Sequence, residues 1–183
     1  MEFWQLIDSA RTEAGHMAEW PSGMQVGDAV ARRLPGLQPV QILEFDLWLR
    51  GQALLADRWE LGAACYLFCG YVSEDGFAEF RFGLVALGRD DFHTVLADPD
   101  TGLAALPVVQ AMAAAHASPF TIHAERLQSA APDTYGDRYW EDRADLPTLH
   151  PAPHFTTADA PLIPTRLPSL HALFPQRGVQ LRT

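Results

Sequence analysis

Lysine and asparagine are both absent from this 183-residue chain, and all thirteen basic residues are arginine. The absence of lysine excludes both a Schiff-base lysine and a P-loop lysine that holds a phosphate. A lysine general base is excluded for the same reason.

Long apolar runs are also missing. The longest strongly apolar run, near Leu61–Cys69, is far shorter than the ~20 residues that span a bilayer. The opening segment, Met1–Gln5, is not a basic region followed by an apolar one, so it does not resemble a secretory signal. We therefore expect no membrane association and a cytoplasmic location.

Acidic residues outnumber basic ones by 23 to 13, which gives a formal net charge of −10. Such a protein repels nucleic-acid phosphates, so we expect no nucleic-acid partner. A basic protein partner would be favoured, mainly through the rate of association. A homo-oligomer is the other partner that we consider, and acidity of this size also serves solubility.

Only two cysteines are present, Cys65 and Cys69, which would share one face of a helix. A disulfide across one helical turn has poor geometry, so we expect buried free thiols. A metal site would need further ligands, and the spacing of the sequence identifies none. We therefore predict no metal and no cofactor.

The apolar residues recur mainly at helical spacing, which predicts a mainly α fold of about six to eight helices. The helices are expected at Glu2–Ala14, Asp28–Leu34, Pro39–Ala56, Arg58–Gly70, Ser73–Leu87, Asp90–Leu96, Pro107–Ala117 and Phe120–Ser129, and a further short helix in the C-terminal arm is expected at Leu167–Phe174. We expect a loop over Gly15–Gly27, and Asp28 and Asp57 as helix N-caps. A buried strand over Tyr66–Val72 is the competing interpretation, because short apolar runs are ambiguous.

With 48% hydrophobic residues, the chain can bury one sizeable core. We expect a single compact bundle-like domain over residues 1–145. The remainder, residues 146–183, reads as an extended proline-rich arm that carries one short helix packed on the core. Five prolines between Leu146 and Pro164 indicate this arm, whether it is ordered or not.

The segment after the central apolar helix has the clearest helix start. Ser73 suits the N-cap, and Glu74 and Asp75 fall in the first turn, where the helix dipole favours negative charge. Further on, Asp98-Pro99-Asp100 looks superficially like a metal-binding Asp-x-Asp, but it lacks EF-hand spacing and predicts a turn with two caps.

The same central region resembles the bacterial family called domain of unknown function 4240. The resemblance is carried by Arg58–Tyr66, Ser73–Arg81, Leu84–Arg89 and Ala97–Asp100, and more weakly by Phe3–Ile7 and Arg166–Leu170. The family typically shows Ser-Asp-Asp-x-Phe-x-x-Phe-Arg-x-Trp. Here Glu74 replaces an aspartate and keeps its charge, whereas Gly83 replaces the tryptophan, which could open space beside Phe80. The resemblance implies fold and boundaries, but no activity.

The best candidate for a functional cluster combines Ser73, Glu74 and Asp75 with Arg81 and Arg89. An acid could act as a general base, and the arginines could bind a carboxylate or phosphate. Capping and ion pairs explain the same residues structurally. Trp20 and Trp140, in loop-like surroundings, are further candidates for exposed contacts.

Catalytic signatures are lacking: there is no Gly-x-Ser-x-Gly, no Gly-x-Gly-x-x-Gly, no Cys-x-x-Cys and no His-Glu-x-x-His. We name no catalytic residue. The sequence favours a non-enzymatic protein-binding or regulatory module, which could include an immunity or antitoxin-like role. The alternative is a small-molecule-binding protein or an enzyme that uses the acid and arginine cluster.

Overall fold

The structure, a computed structural model, is mainly α-helical, as the sequence predicts. It describes residues 2–16, 18–143 and 155–175, and in these ranges it contains no β-strand. No helix in them is long and apolar enough to cross a membrane. They hold more helices than expected, namely α1 (Phe3–Gly15), α2 (Gly23–Arg33), α3 (Pro39–Leu55), α4 (Trp59–Cys69), α5 (Glu74–Ala86), α6 (Arg89–Ala97), α7 (Pro99–Ala105), α8 (Pro107–Ala113), α9 (Glu125–Tyr135), α10 (Tyr139–Asp142), α11 (Ile163–Arg166) and α12 (Pro168–Leu173), with 3-10 turns at Leu34–Gly36 and Thr157–Leu162.

The core is built around α4 and α5. Every residue of α4 from Leu61 to Phe68 is buried, which is what its apolar surface on all sides predicts. The strand interpretation of Tyr66–Val72 is wrong, because the helix runs to Cys69. Gly70 then ends it in the left-handed conformation, with φ of 79°.

Helix α5 begins as predicted. The Ser73 side chain accepts a hydrogen bond from the Gly76 backbone N–H at 3.1 Å, and Glu74 and Asp75 occupy the first turn. The apolar residues that recur at helical spacing along this segment, Phe77, Phe80, Leu84 and Leu87, are all buried. Helix α5 packs on α3 and α9 and so lies in the middle of the bundle.

The loop predicted over Gly15–Gly27 is wrong at its end, because α2 already begins at Gly23. Ser22 and Gln25 form a capping box, in which each side chain bonds the backbone of the other residue. Asp28 is therefore not a cap. It lies inside α2 and pairs with Arg126, with Oδ1 to Nε at 3.2 Å.

Asp57 is not the N-cap of α4 either. The N-cap position falls to Arg58, whose side chain makes no capping bond. The Asp57 carboxylate lies 3.1 Å from Nη1 of Arg81, a side chain that is 1% exposed. A buried guanidinium needs a charge partner, and this need outweighs the capping preference.

The second half departs further from the predicted helix bounds. Helix α7 was not expected. Helix α8 ends at Ala113 rather than Ala117, and α9 begins at Glu125 rather than Phe120. Helix α9 also continues through Pro132 to Tyr135. Helix α9 packs on α2, and this packing explains why the helix continues where the helical spacing of apolar residues weakens.

The division of the chain at residue 145 remains a prediction. The first part of the proposed arm, residues 146–154, lies outside the described residues. The described part, residues 155–175, packs on the core through Phe155, Ile163, Leu167 and Leu170. The short terminal helix is confirmed as α12, with Pro168 in its first turn.

The Asp98-Pro99-Asp100 segment is a double cap. Asp98 accepts hydrogen bonds from the backbone N–H groups of Asp100 and Thr101, both at 3.2 Å, and so caps α7. The buried Asp100 carboxylate accepts from Ser169 at 3.0 Å and Leu170 at 2.9 Å. It therefore holds the start of α12 against α7.

Candidate functional site

The acid and arginine residues singled out from the sequence lie in separate places. Ser73, Glu74 and Asp75 are exposed at the start of α5. Arg81 is turned into the core, where its guanidinium also lies over the ring of Phe77, with 4.8 Å between the guanidinium carbon and the ring centroid. Arg89 is exposed at the start of α6, beyond the opposite end of α5. These side chains therefore form no single cluster.

Two of the candidates do meet. Asp75 and Trp140 line the same cavity, which has a volume of about 500 Å³. Trp140 is 68% exposed, so its indole is available at the mouth. Trp20 lies elsewhere, in a second cavity of about 340 Å³ that is lined in part by Arg11, Gly83 and Ile122.

We call the first of these the anionic cavity, because its wall carries four carboxylates and one guanidinium. Its lining residues are Arg50, Asp75, Glu79, Glu125, Gln128, Ser129, Pro132, Asp133 and Trp140. Asp133 pairs with Arg126. Within the described part of the chain, no ion pair engages Asp75 or Glu125.

The single guanidinium of the anionic cavity is already neutralised. Nε of Arg50 donates to Asp46 at 2.7 Å, and the Tyr139 hydroxyl donates to the same carboxylate oxygen at 2.6 Å. Burial lowers the pKa of Arg50, but the charge of Asp46 and its hydrogen bond outweigh this and hold the pKa above its ordinary value. The field in the cavity is therefore set by its acids.

A second group of chemically active side chains lies around α4. Sγ of Cys69 is 3.4 Å from Nε2 of His123, and Nδ1 of the same ring is 3.4 Å from Oε2 of Glu79. The potential ligand atoms of Cys65, Cys69 and His123 all lie within 4.8 Å of one another. We call these three residues with Glu79 the thiol–imidazole cluster. Neither Cys65 nor Cys69 is in a disulfide, and Cys69 is half-buried rather than buried as predicted.

The acid–base properties of this cluster are linked. The neighbouring Cys69 and burial raise the pKa of Cys65 well above its ordinary value. For His123, burial lowers the pKa, but the hydrogen bonds and charges of Cys69 and Glu79 outweigh it, and the pKa is raised. The imidazole thus connects a thiol on one side with a carboxylate on the other.

Close backbone packing holds His123 in place. A Cβ at Gly83 would overlap the carbonyl oxygen of Ile122, and a Cβ at Gly23 would come within 2.5 Å of the His123 carbonyl oxygen. The Gly23 N–H donates to Thr121 at 2.8 Å. The segment 121–124 therefore lies in a groove between α2 and α5 that only glycine allows.

Comparison with known families identifies the family of this chain. Residues 1–137 match the family described as protein of unknown function DUF4240. The chain belongs to this family. No curated protein and no solved structure matches it. The resemblance of the central motif is thus confirmed, and family membership brings no assigned activity to this DUF4240 protein.

The position where this DUF4240 protein departs from the expected motif has a structural explanation. Gly83 stands where the resemblance leads us to expect tryptophan. The backbone of Ile122 occupies the place that a side chain at Gly83 would take. The substitution is therefore tied to the placement of the neighbouring His123.

Sequence reasoning missed the connection between the cysteines and His123 in this DUF4240 protein. The two cysteines share a helix face, as their spacing predicts, but His123 follows Cys69 by 54 positions. No local motif marks that pairing. The only available signal was the pair of thiols itself, which lacked a visible third ligand.

Proposed function

We propose that the protein is a non-enzymatic binding or regulatory module whose anionic cavity receives a positively charged side chain of a basic protein partner. The observation that carries the proposal is the convergence of Asp75, Glu125 and the exposed indole of Trp140 on one cavity. A cytoplasmic location stays a prediction alongside it.

Electrostatics supports a cation as the guest. Asp75 and Glu125 have no ion-pair partner within the described residues, so a guanidinium or ammonium group would gain their attraction without displacing an existing pair. The cavity volume of about 500 Å³ falls within the range of ligand sites, about 300–1,000 Å³. The net charge of −10 adds long-range attraction of a basic partner.

Trp140 adds an aromatic surface to the same site. A cation above an indole face is stabilised by about 0.5–1 kcal/mol at an exposed position. The indole already shows this preference, because the guanidinium carbon of Arg143 lies 4.8 Å from its ring centroid. A partner's arginine or lysine could use the same ring while its charge faces Asp75.

The experiment is a calorimetric titration with a short glycine- and serine-flanked arginine peptide, and with the matching citrulline peptide, which has nearly the same shape without the charge. We expect binding of the arginine peptide alone, weakened by salt. Asp75→Asn and Glu125→Gln should each weaken it several-fold, and Trp140→Ala about 2–5-fold. Glu44→Gln, an exposed acid outside the cavity, is the matched control.

Two results would contradict the proposal. Equal binding of the citrulline peptide would show that the protein does not recognise the positive charge of the arginine side chain. An equal loss for Glu44→Gln would show that the peptide responds to overall acidity rather than to the cavity. Light scattering at two protein concentrations tests the other partner that we consider, a second copy of this chain.

The rival function, a small-molecule-binding protein or enzyme built on the acid and arginine cluster, receives less support. It requires Arg81 beside Ser73–Asp75 in one pocket. Arg81 instead pairs with Asp57 and is 1% exposed.

A further inference from the structure

We propose that Cys65, Cys69 and His123 form a binding site for one thiophilic transition-metal ion of the zinc class, with Glu79 orienting the imidazole. The inference is independent of the proposed partner-binding function. It rests on the relative positions of four side chains from α4, α5 and the segment before α9.

The donor atoms lie close to the spacing of a tetrahedral site. Zinc–sulfur and zinc–nitrogen bonds of about 2.3 and 2.0–2.1 Å place sulfur and nitrogen about 3.5 Å apart, and two sulfurs about 3.8 Å apart. Sγ of Cys69 lies 3.4 Å from Nε2 of His123, and all three donors lie within 4.8 Å of one another. The Cys69–His123 pair already has the required separation, and side-chain adjustments of up to about 1 Å would bring the other two donor pairs to theirs.

The second ring nitrogen of His123 has the partner that a metal-binding histidine needs. Its Nδ1 lies 3.4 Å from Oε2 of Glu79. When Nδ1–H donates to that carboxylate, the lone pair of Nε2 points to the thiols. This carboxylate–histidine–metal arrangement fixes the tautomer and raises the basicity of the ligand.

Charge balance also favours a divalent ion. Two thiolates and a neutral imidazole give a net charge of −2, which a divalent cation cancels. Cys65 is 1% exposed, so its thiolate without a cation would be an uncompensated buried charge. Metal binding would replace the two thiol protons, which leave to solvent.

Sulfur and imidazole donors select zinc and similar ions over magnesium or calcium. No other Cys, His, Asp or Glu among the described residues joins the three donors. A tetrahedral ion would therefore have its fourth position left for water or another ligand. The half-buried Cys69 marks the side of the cluster that solvent reaches.

The competing interpretation is a reactive thiol, in which His123 activates Cys69 as a nucleophile. Such a thiol needs a pocket for its substrate. Neither the anionic cavity nor the cavity beside Trp20 is lined by Cys69 or His123. The sulfur and imidazole donors that lie together favour the metal, and the nucleophile is an outcome of the test.

The experiment titrates reduced, chelator-treated protein with Co²⁺, which reports thiolate ligation by a sulfur-to-metal charge-transfer band. We expect one ion per chain and displacement by Zn²⁺. Cys65→Ser, Cys69→Ser and His123→Ala should each lose at least ten-fold in affinity. Glu79→Gln should keep the stoichiometry and lose about 10–100-fold. The matched control is His116→Ala, at an exposed histidine outside the cluster.

A second measurement needs no variant and therefore tests the proposal even if the variants fail to fold. In the unmodified protein, Zn²⁺ should slow alkylation of the cysteines by iodoacetamide at least ten-fold. The proposal is overturned if folded protein gives no charge-transfer band, if His116→Ala loses as much affinity as His123→Ala, or if Zn²⁺ leaves a rapid alkylation of Cys69 unchanged. The last result would identify the reactive thiol instead.

Discussion

Replacing Gly83 with alanine is expected to lower the free energy of unfolding by about 3 kcal/mol. The added Cβ would lie at less than half the ordinary carbon–oxygen contact distance from the Ile122 carbonyl, about 3.3–3.6 Å. The backbone of segment 121–124 must then move by about 2 Å, or the two helices on either side must separate. Forcing extra atoms into such a packed site costs about 1–3 kcal/mol.

The same displacement strains two backbone hydrogen bonds. The Gly23 N–H donates to Thr121 at 2.8 Å, and the Ala124 N–H donates to the Glu79 carbonyl at 3.1 Å. Each contributes about 1 kcal/mol net. Against these losses, alanine in a helix interior gains about 0.5–1 kcal/mol over glycine. The sum is the expected destabilisation of about 3 kcal/mol.

Urea unfolding followed by circular dichroism measures this difference. Gly51→Ala is the matched control, because Gly51 also lies inside a helix but a Cβ there meets nothing within 4 Å. It should stabilise the protein by about 0.5–1 kcal/mol. If Gly83→Ala costs less than about 1 kcal/mol relative to Gly51→Ala, segment 121–124 does not lie against α5 as described.

Two further changes test buried polar contacts. Tyr139→Phe removes a hydroxyl that donates to Asp46 at 2.6 Å, and urea unfolding should show a loss of about 1–3 kcal/mol. Burial raises the pKa of Tyr139 to about 12. The stabilisation that the hydroxyl gives to the folded protein is therefore complete below about pH 10 and is lost as the pH rises towards 12. In Tyr139→Phe, the free energy of unfolding should not show this loss between about pH 10 and 12. Asp100→Ala removes the cap that α7 supplies to α12, and limited proteolysis should then cut residues 155–175 faster, with Asp90→Ala as an exposed control.

Local patterns predicted the centre of the fold well. The hydroxyl of Ser73, the two acids after it and the apolar residues spaced along α5 all act within one helix, so their neighbours in sequence are their neighbours in space. The almost entirely apolar α4 could likewise be placed in the core from its composition alone. Helix starts at Ser73 and Pro168 followed from the same local rules.

The errors come from interactions between distant segments. Gly23 and Gly27 looked like loop residues, yet both lie in α2, where their missing side chains let residues 123–127 approach. Asp57 looked like a cap, but the buried Arg81 requires its charge. The pairing of Cys69 with His123 depends on the same long-range packing, and no periodicity records it.

Glu79 belongs to both proposed sites, which leads to a last prediction. Its carboxylate lines the anionic cavity and also lies 3.4 Å from Nδ1 of His123. A guanidinium in the cavity would compete for the charge of Glu79 that supports the imidazole. We therefore expect the arginine peptide and Co²⁺ to weaken each other's binding.

Thermodynamic linkage fixes the form of this effect. The factor by which the peptide lowers Co²⁺ affinity must equal the factor by which Co²⁺ lowers peptide affinity. Calorimetry of each ligand with and without the other measures both factors. Glu79→Gln should bring the factor close to one, whereas Glu125→Gln, which weakens the peptide but does not touch His123, should leave most of the coupling. If Glu79→Gln preserves the coupling in full, the two sites communicate by another route, because the shared carboxylate is then not what connects them.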